Sequence, residues 1–353
     1  MTEAVDEPLR SHEPPLSDAP CNPVHLTKRS SVAFADDVLS KVLPSLNDGR
    51  PIYVVTHERP DGDAIGSQTA LTRYLCNLHL PAFALCTDKI SETLRSFLDN
   101  VPQCHLSEFK PEAHWVATDA GDASRVAEAL REYPFELVID HHPETAAGAV
   151  FGRYRCIQPH QSSACEVLTD LLETHGYTFD DPFVNDALYL GLISDTGNFC
   201  NTNTNTETFR HAECLTRAGV RPHRIAQCLY KSQTLQQLRL YEIFLSRIRL
   251  YADGQIVLST LTEADYEATG TRRTYTEGFT NRLLLLKTAK LAAVIEKTTA
   301  LVKVSLRSVD PAYPMNTVAQ KWGGFGHVCA AGFKCEPNAF SEEVLVGRLR
   351  KVL

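Results

Sequence analysis

Four short segments concentrate carboxylates and imidazoles in a chain of 353 residues. The first is Thr56-His57-Glu58-Arg59-Pro60-Asp61-Gly62-Asp63, running on through Ala64-Ile65-Gly66-Ser67. The second is Ala117-Thr118-Asp119-Ala120-Gly121-Asp122, and the third is Val138-Ile139-Asp140-His141-His142-Pro143. The fourth is Gly191-Leu192-Ile193-Ser194-Asp195-Thr196-Gly197-Asn198. Three of them directly follow a predicted strand, and the fourth ends a predicted helix. Asp and His offer oxygen and imidazole ligands suited to a divalent ion such as manganese, and the absence of nearby Cys disfavours structural zinc. Each segment alone has a plainer explanation. Asp61-Gly62-Asp63 reads as a turn, Asp119 as the N-cap of a helix over Ser124–Arg131, and Asp195-Thr196-Gly197 as a helix stop. The adjacent imidazoles of His141 and His142 have no obvious packing role after an apolar strand. The coincidence of all four at element ends favours a site.

The elements that must position these residues alternate. Short β-rich runs at Ile52–Thr56, Phe83–Cys86, Trp115–Thr118 and Leu137–Ile139 are separated by helical stretches, as at Ala64–Leu78 and Ser124–Arg131. This predicts βαβ units and an α/β fold with a mostly parallel sheet flanked by helices. Ligands in such a sheet bind beyond the carboxyl ends of the strands, so three of the segments should meet at one edge. A helix over Ala33–Val42 is expected before the first strand, and others over Ser163–Glu173, Val184–Ile193 and Glu207–Ala218. The polar, helix-compatible stretch Arg221–Gln237 reads as a connector to a smaller α+β region. Strands are expected there near Ile256–Thr260, Ala292–Glu296 and Leu301–Leu306, with a final helix over Ser341–Leu353. The layout is then a tail (1–31), a catalytic domain (32–220), a helical linker (221–237) and a second domain (238–353).

Composition narrows the class. Hydrophobic residues make up 43% and charged residues 22%, as in ordinary globular proteins. No apolar run approaches the roughly 18 residues needed to span a bilayer. The N-terminal MTEAVDEPLR lacks a basic-then-apolar secretory pattern, so the expected location is the cytoplasm, with no membrane partner. None of the eleven cysteines forms a CxxC pair, and Cys76, Cys86 and Cys228 sit in apolar stretches as small hydrophobes. The net charge of −8 argues against a broad basic surface for long duplex DNA while leaving room for a local basic pocket. Residues 1–31 carry Pro8, Pro14, Pro15, Pro20 and Pro23 among polar residues and read as a disordered tail.

The four acidic segments resemble the motifs of the DHH phosphoesterases, a family named for the triplet matched here by Asp140-His141-His142. Two more segments resemble its associated C-terminal domain: Lys303-Val304-Ser305-Leu306-Arg307-Ser308, and Gly323-Gly324-Phe325-Gly326-His327-Val328-Cys329-Ala330-Ala331-Gly332. The resemblance covers roughly residues 40–350 and implies a pair of divalent ions, manganese by preference. One ion would be held by His57, Asp61 and Asp119, the other by Asp63, Asp119, His141 and Asp195, with Asp119 bridging. Metals so paired share and activate a hydroxide for in-line displacement. Asp140 would orient an imidazole, and His142 would face the substrate as a proton donor or charge stabiliser. Arg307 would offer a planar fork to a phosphate, Gly323, Gly324 and Gly326 a backbone anion cradle, and His327 a stacking or phosphate-binding ring. Without the resemblance, Gly323-Gly324 reads as a turn and Arg307 as a solvated strand end.

Two departures stand out. Phe325 interrupts the glycine run usual before the histidine, and the Pro143-Glu144-Thr145 stretch lacks an asparagine often found nearby. Within the family, a chain with no membrane span and no additional oligonucleotide-binding domain is most similar to the bifunctional oligoribonucleases and 3′-phosphoadenosine-5′-phosphate phosphatases. The resemblance therefore implies hydrolysis of short RNA or DNA oligonucleotides, dinucleotides or adenosine bisphosphate by a protein that could be a homodimer. Two other readings stay open: a manganese-dependent pyrophosphatase, and a nucleotide-binding regulator without activity.

Overall fold

The computed structural model describes residues 38–86, 90, 92–143, 151–231, 233–276, 278–326 and 328–353. The chain divides into two compact units, Met1–Lys231 and Ser232–Leu353. In the first unit, α1 (Val38–Leu46) leads into β1 (Ile52–Val55), α2 (Gly62–Asn77), β2 (Ala82–Cys86), α3 (Glu92–Leu98) and β3 (Gln103–His105). The chain then returns to β4 (His114–Thr118), β5 (Phe135–Asp140) and β6 (Tyr154–Ile157). Four helices follow: α4 (Ala164–Thr174), α5 (Pro182–Asp195), α6 (Thr206–Arg217) and α7 (Pro222–Tyr230). The six strands are ordered β3-β2-β1-β4-β5-β6, and every pairing is parallel.

Both faces of this sheet are covered, which is why its central strands read as unbroken apolar runs rather than alternating ones. Val54, Val116, Leu137 and Ile139 pack with α2, α4 and α5 through Ile65, Leu71, Leu168 and Leu188. On the opposite face Tyr53, Val55, Trp115, Ala117 and Phe135 pack with Val126 and Leu130. The strand order reverses between β1 and β4, because the chain winds outward from β1 to β3 and then restarts on the other side. Helices of successive crossovers leave a crevice at such a reversal, beyond the carboxyl ends of the strands. The segments after β1, β4 and β5 all end there.

Two expectations for this unit need correction. The helix over Ser124–Arg131 is replaced by two single 3₁₀ turns, Ala123–Arg125 and Glu128–Leu130. Asp122, not Asp119, caps the first turn by accepting from Ser124 N at 2.7 Å, and Val126 is extended (φ −78°, ψ 162°), which breaks the helical path. The expected first helix begins among residues outside those described, and α1 runs on to Leu46, past the expected end.

The second unit contains α8 (Leu235–Ser246), β7 (Arg249–Tyr251), β8 (Ile256–Thr262), α9 (Glu263–Thr269), α10 (Phe279–Leu283) and β9 (Leu291–Lys297). It continues with β10 (Val302–Ser308), α11 (Met315–Gln320), β11 (Phe325–Gly326), β12 (Ala330–Cys335) and α12 (Glu342–Arg350). Its sheet has the order β11-β12-β10-β9-β8-β7. Only the β8–β9 pairing is parallel; the remaining four are antiparallel. Strand β10 alternates buried and half-buried residues, as period-two geometry requires of a sheet with unequal faces. Among the described residues, no helix is long and apolar enough to cross a membrane.

Candidate metal centre

Backbone geometry brings the acidic segments together before any side-chain contact is considered. Asp119 follows β4 directly, with φ at +53°, a left-handed conformation uncommon for a non-glycine residue. Its N–H donates to Ile139 O at 2.9 Å, fastening the end of β4 to the end of β5. Asp61 is the N-cap of α2, accepting from the N–H groups of Asp63 and Ala64 at 3.0 and 3.1 Å through Oδ1. The turn expected at Asp61-Gly62-Asp63 is instead the start of α2, with Gly62 and Asp63 as its first residues, and this entry aims two carboxylates. Asp195 is the last residue of α5, so the helix-stop reading holds.

Helices α2 and α5 meet at very short range, which brings Asp63 to Asp195. A Cβ at Gly191 would lie 2.4 Å from Asp63 Oδ1 and 2.2 Å from Cys165 Sγ, so only glycine leaves room for the carboxylate. The same constraint holds at Gly121, where a Cβ would fall 2.4 Å from Asp140 Oδ2.

Two ligand groups result. In the first, His57 Nε2 lies 3.3 Å from Asp119 Oδ2 and 4.0 Å from Asp61 Oδ1. In the second, His141 Nε2 lies 3.2 Å from Asp195 Oδ2 and 3.9 Å from Asp63 Oδ2. Asp119 touches both groups, since its Oδ1 is 3.9 Å from His141 Nε2 while its Oδ2 faces His57. Each triad, His57–Asp61–Asp119 and Asp63–His141–Asp195, presents one donor atom per residue within 4.8 Å of the others.

The donors fit a divalent cation. Asp119 Oδ1 and His141 Nε2 are buried without a hydrogen-bond partner, a costly arrangement unless something else satisfies them. Electrostatics agree. Burial pushes the Asp63 carboxyl up to about 7, with the Asp195 charge adding to the effect. Burial, then the neighbouring Asp63, raises Asp119 well above the ordinary carboxylate range. Burial also raises Asp195. His141 is disfavoured as a cation by burial, yet the Asp195 and Asp63 carboxylates outweigh that and lift it to about 9. Carboxylates crowded into a dry site need positive charge, and a divalent ion supplies it.

Asp140 plays a different part. Its Oδ2 accepts from Gly121 N at 2.5 Å, and its Oδ1 from His141 N at 2.7 Å and His142 N at 3.2 Å. The same Oδ1 lies 2.8 Å from His142 Nδ1. Burial works to raise this carboxyl, but the bonds from His142 outweigh it and hold it below the ordinary range. Four N–H donors, one of them on the His142 ring, converge on Asp140, an arrangement that orients that imidazole. The His141 and His142 rings meet edge to face at 4.4 Å between centroids.

The partners that orient Asp63 were not legible in the sequence. Its Oδ2 accepts from Ala164 N at 2.6 Å and its Oδ1 from Cys165 N at 2.9 Å. These are backbone donors in the first turn of α4, where the helix dipole favours an anion, and no side-chain motif announces them. In the second unit Arg307 lies on β10, opposite Ala330 and Ala292. Its one hydrogen bond among the described residues is from Nη1 to Leu306 O at 3.0 Å, and it has no carboxylate partner there. Gly326 lies in β11, paired with Ala331, so part of the glycine segment is a sheet edge rather than an open loop. His327 lies outside the described residues.

Residues 51–192 match the model of the DHH family, N-terminal domain. The chain is 30% identical over 288 residues to the bifunctional oligoribonuclease and PAP phosphatase NrnA of Thermus thermophilus, covering 80% of this chain and 83% of that one. It is 25% identical to the Bacillus subtilis protein of the same description over 290 residues, 80% and 88% of the two chains. The crystal structure of an exopolyphosphatase-related protein from Bacteroides fragilis shares the fold, with a TM-score of 0.80 at 23% identity over 91% and 97% of the two chains. The chain belongs to the DHH family of phosphoesterases.

Proposed function

We propose that this phosphoesterase hydrolyses short oligoribonucleotides, dinucleotides and 3′-phosphoadenosine 5′-phosphate with two divalent ions, manganese by preference. One observation carries the reading: the two oxygens of Asp119 face His57 of one ligand triad and His141 of the other, as suits a carboxylate bridging through both oxygens. His57, Asp61 and Asp119 would hold one ion, and Asp63, Asp119, His141 and Asp195 the other. Such a pair supplies Lewis acidity toward a phosphoryl oxygen and a water of lowered pKa.

The protein's own groups do the rest. The backbone amides of α4 fix Asp63, and those of Gly121, His141 and His142 fix Asp140. Asp140 sets the orientation and tautomer of His142, whose ring then delivers a proton or positive charge to the phosphoryl group. Arg307, a cation without a carboxylate partner among the described residues, would take a phosphate other than the scissile one. Gly323, Gly324, Gly326 and His327 would complete that subsite. The catalytic domain is assigned to residues 32–220, the linker to 221–237 and the substrate-binding domain to 238–353, in a cytoplasmic protein. The substrate class rests on the relatives named as oligoribonucleases and PAP phosphatases, the nearer of them at 30% identity.

A substrate panel with added manganese tests this: adenosine 3′,5′-bisphosphate, pyrophosphate, a cyclic dinucleotide, and RNA from dinucleotides upward. Turnover should be highest on dinucleotides and the bisphosphate. Turnover on pyrophosphate alone would overturn the reading in favour of a pyrophosphatase. Silence on every substrate would favour a binding protein.

A further inference from the structure

A metal ligand is only as well placed as the groups that hold it, and Asp63 is held by the first turn of α4. What fixes that turn is a buried polar network outside the metal centre. Ser163 caps α4, its Oγ accepting from Glu166 N at 3.0 Å. In a capping box the acidic side chain three residues on would reach back to the cap's own N–H. Here Glu166 reaches one residue further. Its Oε2 accepts from Ser162 N at 2.9 Å, from the Ser162 hydroxyl, and from Thr208 Oγ1 of α6 at 3.1 Å. The Glu166 carboxylate thus clamps the entry to α4 against α6.

Glu166 is fully buried, and a carboxylate so placed is tolerated only with compensating partners. His211 of α6, also fully buried, stands between Glu166 and Asp170, two acids one helical turn apart on α4. Its Nε2 is 3.1 Å from Asp170 Oδ1 and also meets Arg210 Nη2, while its Nδ1 faces Glu166 Oε1 at 3.5 Å, a charge contact rather than a hydrogen bond. Asp170 also accepts from Gln161 Nε2 at 2.6 Å and Arg210 Nη2 at 3.0 Å, and Arg210 continues outward to Glu173 at 3.2 Å. Asp170, Glu173 and His211 could by themselves coordinate an ion, but the Arg210 guanidinium already binds both carboxylates. The network also reaches the other end of the site. Asn203 Nδ2 donates to Ser162 O at 2.9 Å and to Asp195 O at 3.3 Å, tying the same entry segment to a second acidic residue of the centre.

We propose that His211 is a positioning residue for the metal centre: by bridging Glu166 and Asp170 it locks the entry of α4, and so fixes the two backbone N–H groups that orient Asp63. The proposal rests on the reading of Asp63 as a metal ligand. It acts through the site of the Asp63–His141–Asp195 triad and leaves the His57–Asp61–Asp119 triad alone.

The test is calorimetric titration of the metal-free protein with manganese, run well below each variant's melting temperature. Loss of groups that orient a ligand typically weakens metal binding about ten- to a hundredfold. His211→Leu should weaken one of two sites by that range, with the other unchanged. His211→Gln, which retains a donor toward Asp170, should recover most of the affinity. Glu173→Gln, at the outer end of the network and remote from Ser162, should lower the melting temperature without changing the isotherm. A folded His211→Leu protein with the wild-type isotherm overturns the proposal. If that variant does not fold, Glu166→Gln decides in the same way: weakened binding at one site supports the proposal, and an unchanged isotherm overturns it. Asp63→Asn separates the two readings. If it leaves manganese binding intact, the ligand assignment has failed; if it abolishes one site while His211→Leu abolishes nothing, only the positioning role has failed.

Discussion

Replacing Asp140 by Asn keeps the shape of the side chain and removes one acceptor, which makes the consequence calculable. The carboxylate takes three N–H donors on Oδ1, from His141 N, His142 N and His142 Nδ1, and one on Oδ2, from Gly121 N. An asparagine keeps most bonds by placing its oxygen at the Oδ1 position. Its NH₂ then faces the Gly121 N–H at the 2.5 Å spacing of the original bond, donor against donor. One bond to a charged acceptor is lost, at about 1.5–3 kcal/mol, and a buried N–H is left unsatisfied, bringing the expected cost to roughly 2–4 kcal/mol. No relief is available from the backbone, because Gly121 already sits so close that its missing Cβ would meet Asp140 Oδ2. At roughly 2–4 °C per kcal/mol for a unit of this size, thermal unfolding of the metal-free protein should shift down by roughly 4–16 °C. The His142 ring also loses its anionic partner, so turnover should fall at least about a hundredfold, the lower end of a general acid–base contribution. Manganese stoichiometry should not change, since Asp140 is not a proposed ligand. A variant within about 0.5 kcal/mol of the parent and with full turnover would refute both the orienting role and the hydrogen-bond geometry behind it.

Other perturbations have equally definite outcomes. Asp119→Asn removes the shared carboxylate and should lower turnover by several orders of magnitude while reducing bound manganese, read by elemental analysis; full turnover with unchanged metal would exclude bridging. Gly191→Ala forces a methyl onto Asp63 Oδ1 and Cys165 Sγ and should cost about 1–3 kcal/mol by urea unfolding, together with weaker metal binding. Arg307→Ala should reduce kcat/KM on a dinucleotide about ten- to a hundredfold, the worth of one charge-assisted hydrogen bond, and spare a bis-nitrophenyl phosphodiester. Equal losses on both would make Arg307 structural or part of the chemistry itself. Asp181 caps α5 by accepting from Phe183 N and pairs with Arg73 and Asn77. Burial works to raise its carboxyl, but these partners outweigh it and hold it below the ordinary range. Its stabilisation is therefore full above about pH 4 and fades as the pH falls through the depressed value. Asp181→Asn should melt lower than the parent at pH 7, with the gap closing in strongly acidic buffer; a gap independent of pH would contradict the ionic contribution.

The sequence carried the catalytic sheet well because its information is local. A parallel strand buried on both faces is an apolar run, and the residue after it lies at the carboxyl edge, so Asp119, Asp140 and His57 were placed by strand ends alone. Edge strands were less visible. Gln103–His105 and Tyr154–Ile157 are short and half exposed, and neither shows a clean period. Where a helix over Ser124–Arg131 was expected, Val126 and Leu130 have the spacing of four that suits a helix, yet Val126 is buried against the sheet from an extended residue after the first 3₁₀ turn and Leu130 from the end of the second. Least legible were the features that depend on tertiary approach. The amides of Ala164 and Cys165 have no side-chain signature, and Gly191 leaves no room for a Cβ because Cys165 of α4 and Asp63 of α2 press against it. In the second unit, the glycine segment read as an anion cradle also forms strand β11, a pairing no local pattern announced.

Reconstitution of the metal-stripped protein with manganese, scored at once for bound ions and for hydrolysis of a dinucleotide, is the most direct test of a two-ion phosphoesterase. Two ions should bind per chain, and turnover should appear with occupancy of the second. Full turnover at one ion per chain, or undiminished turnover in excess chelator, would contradict it.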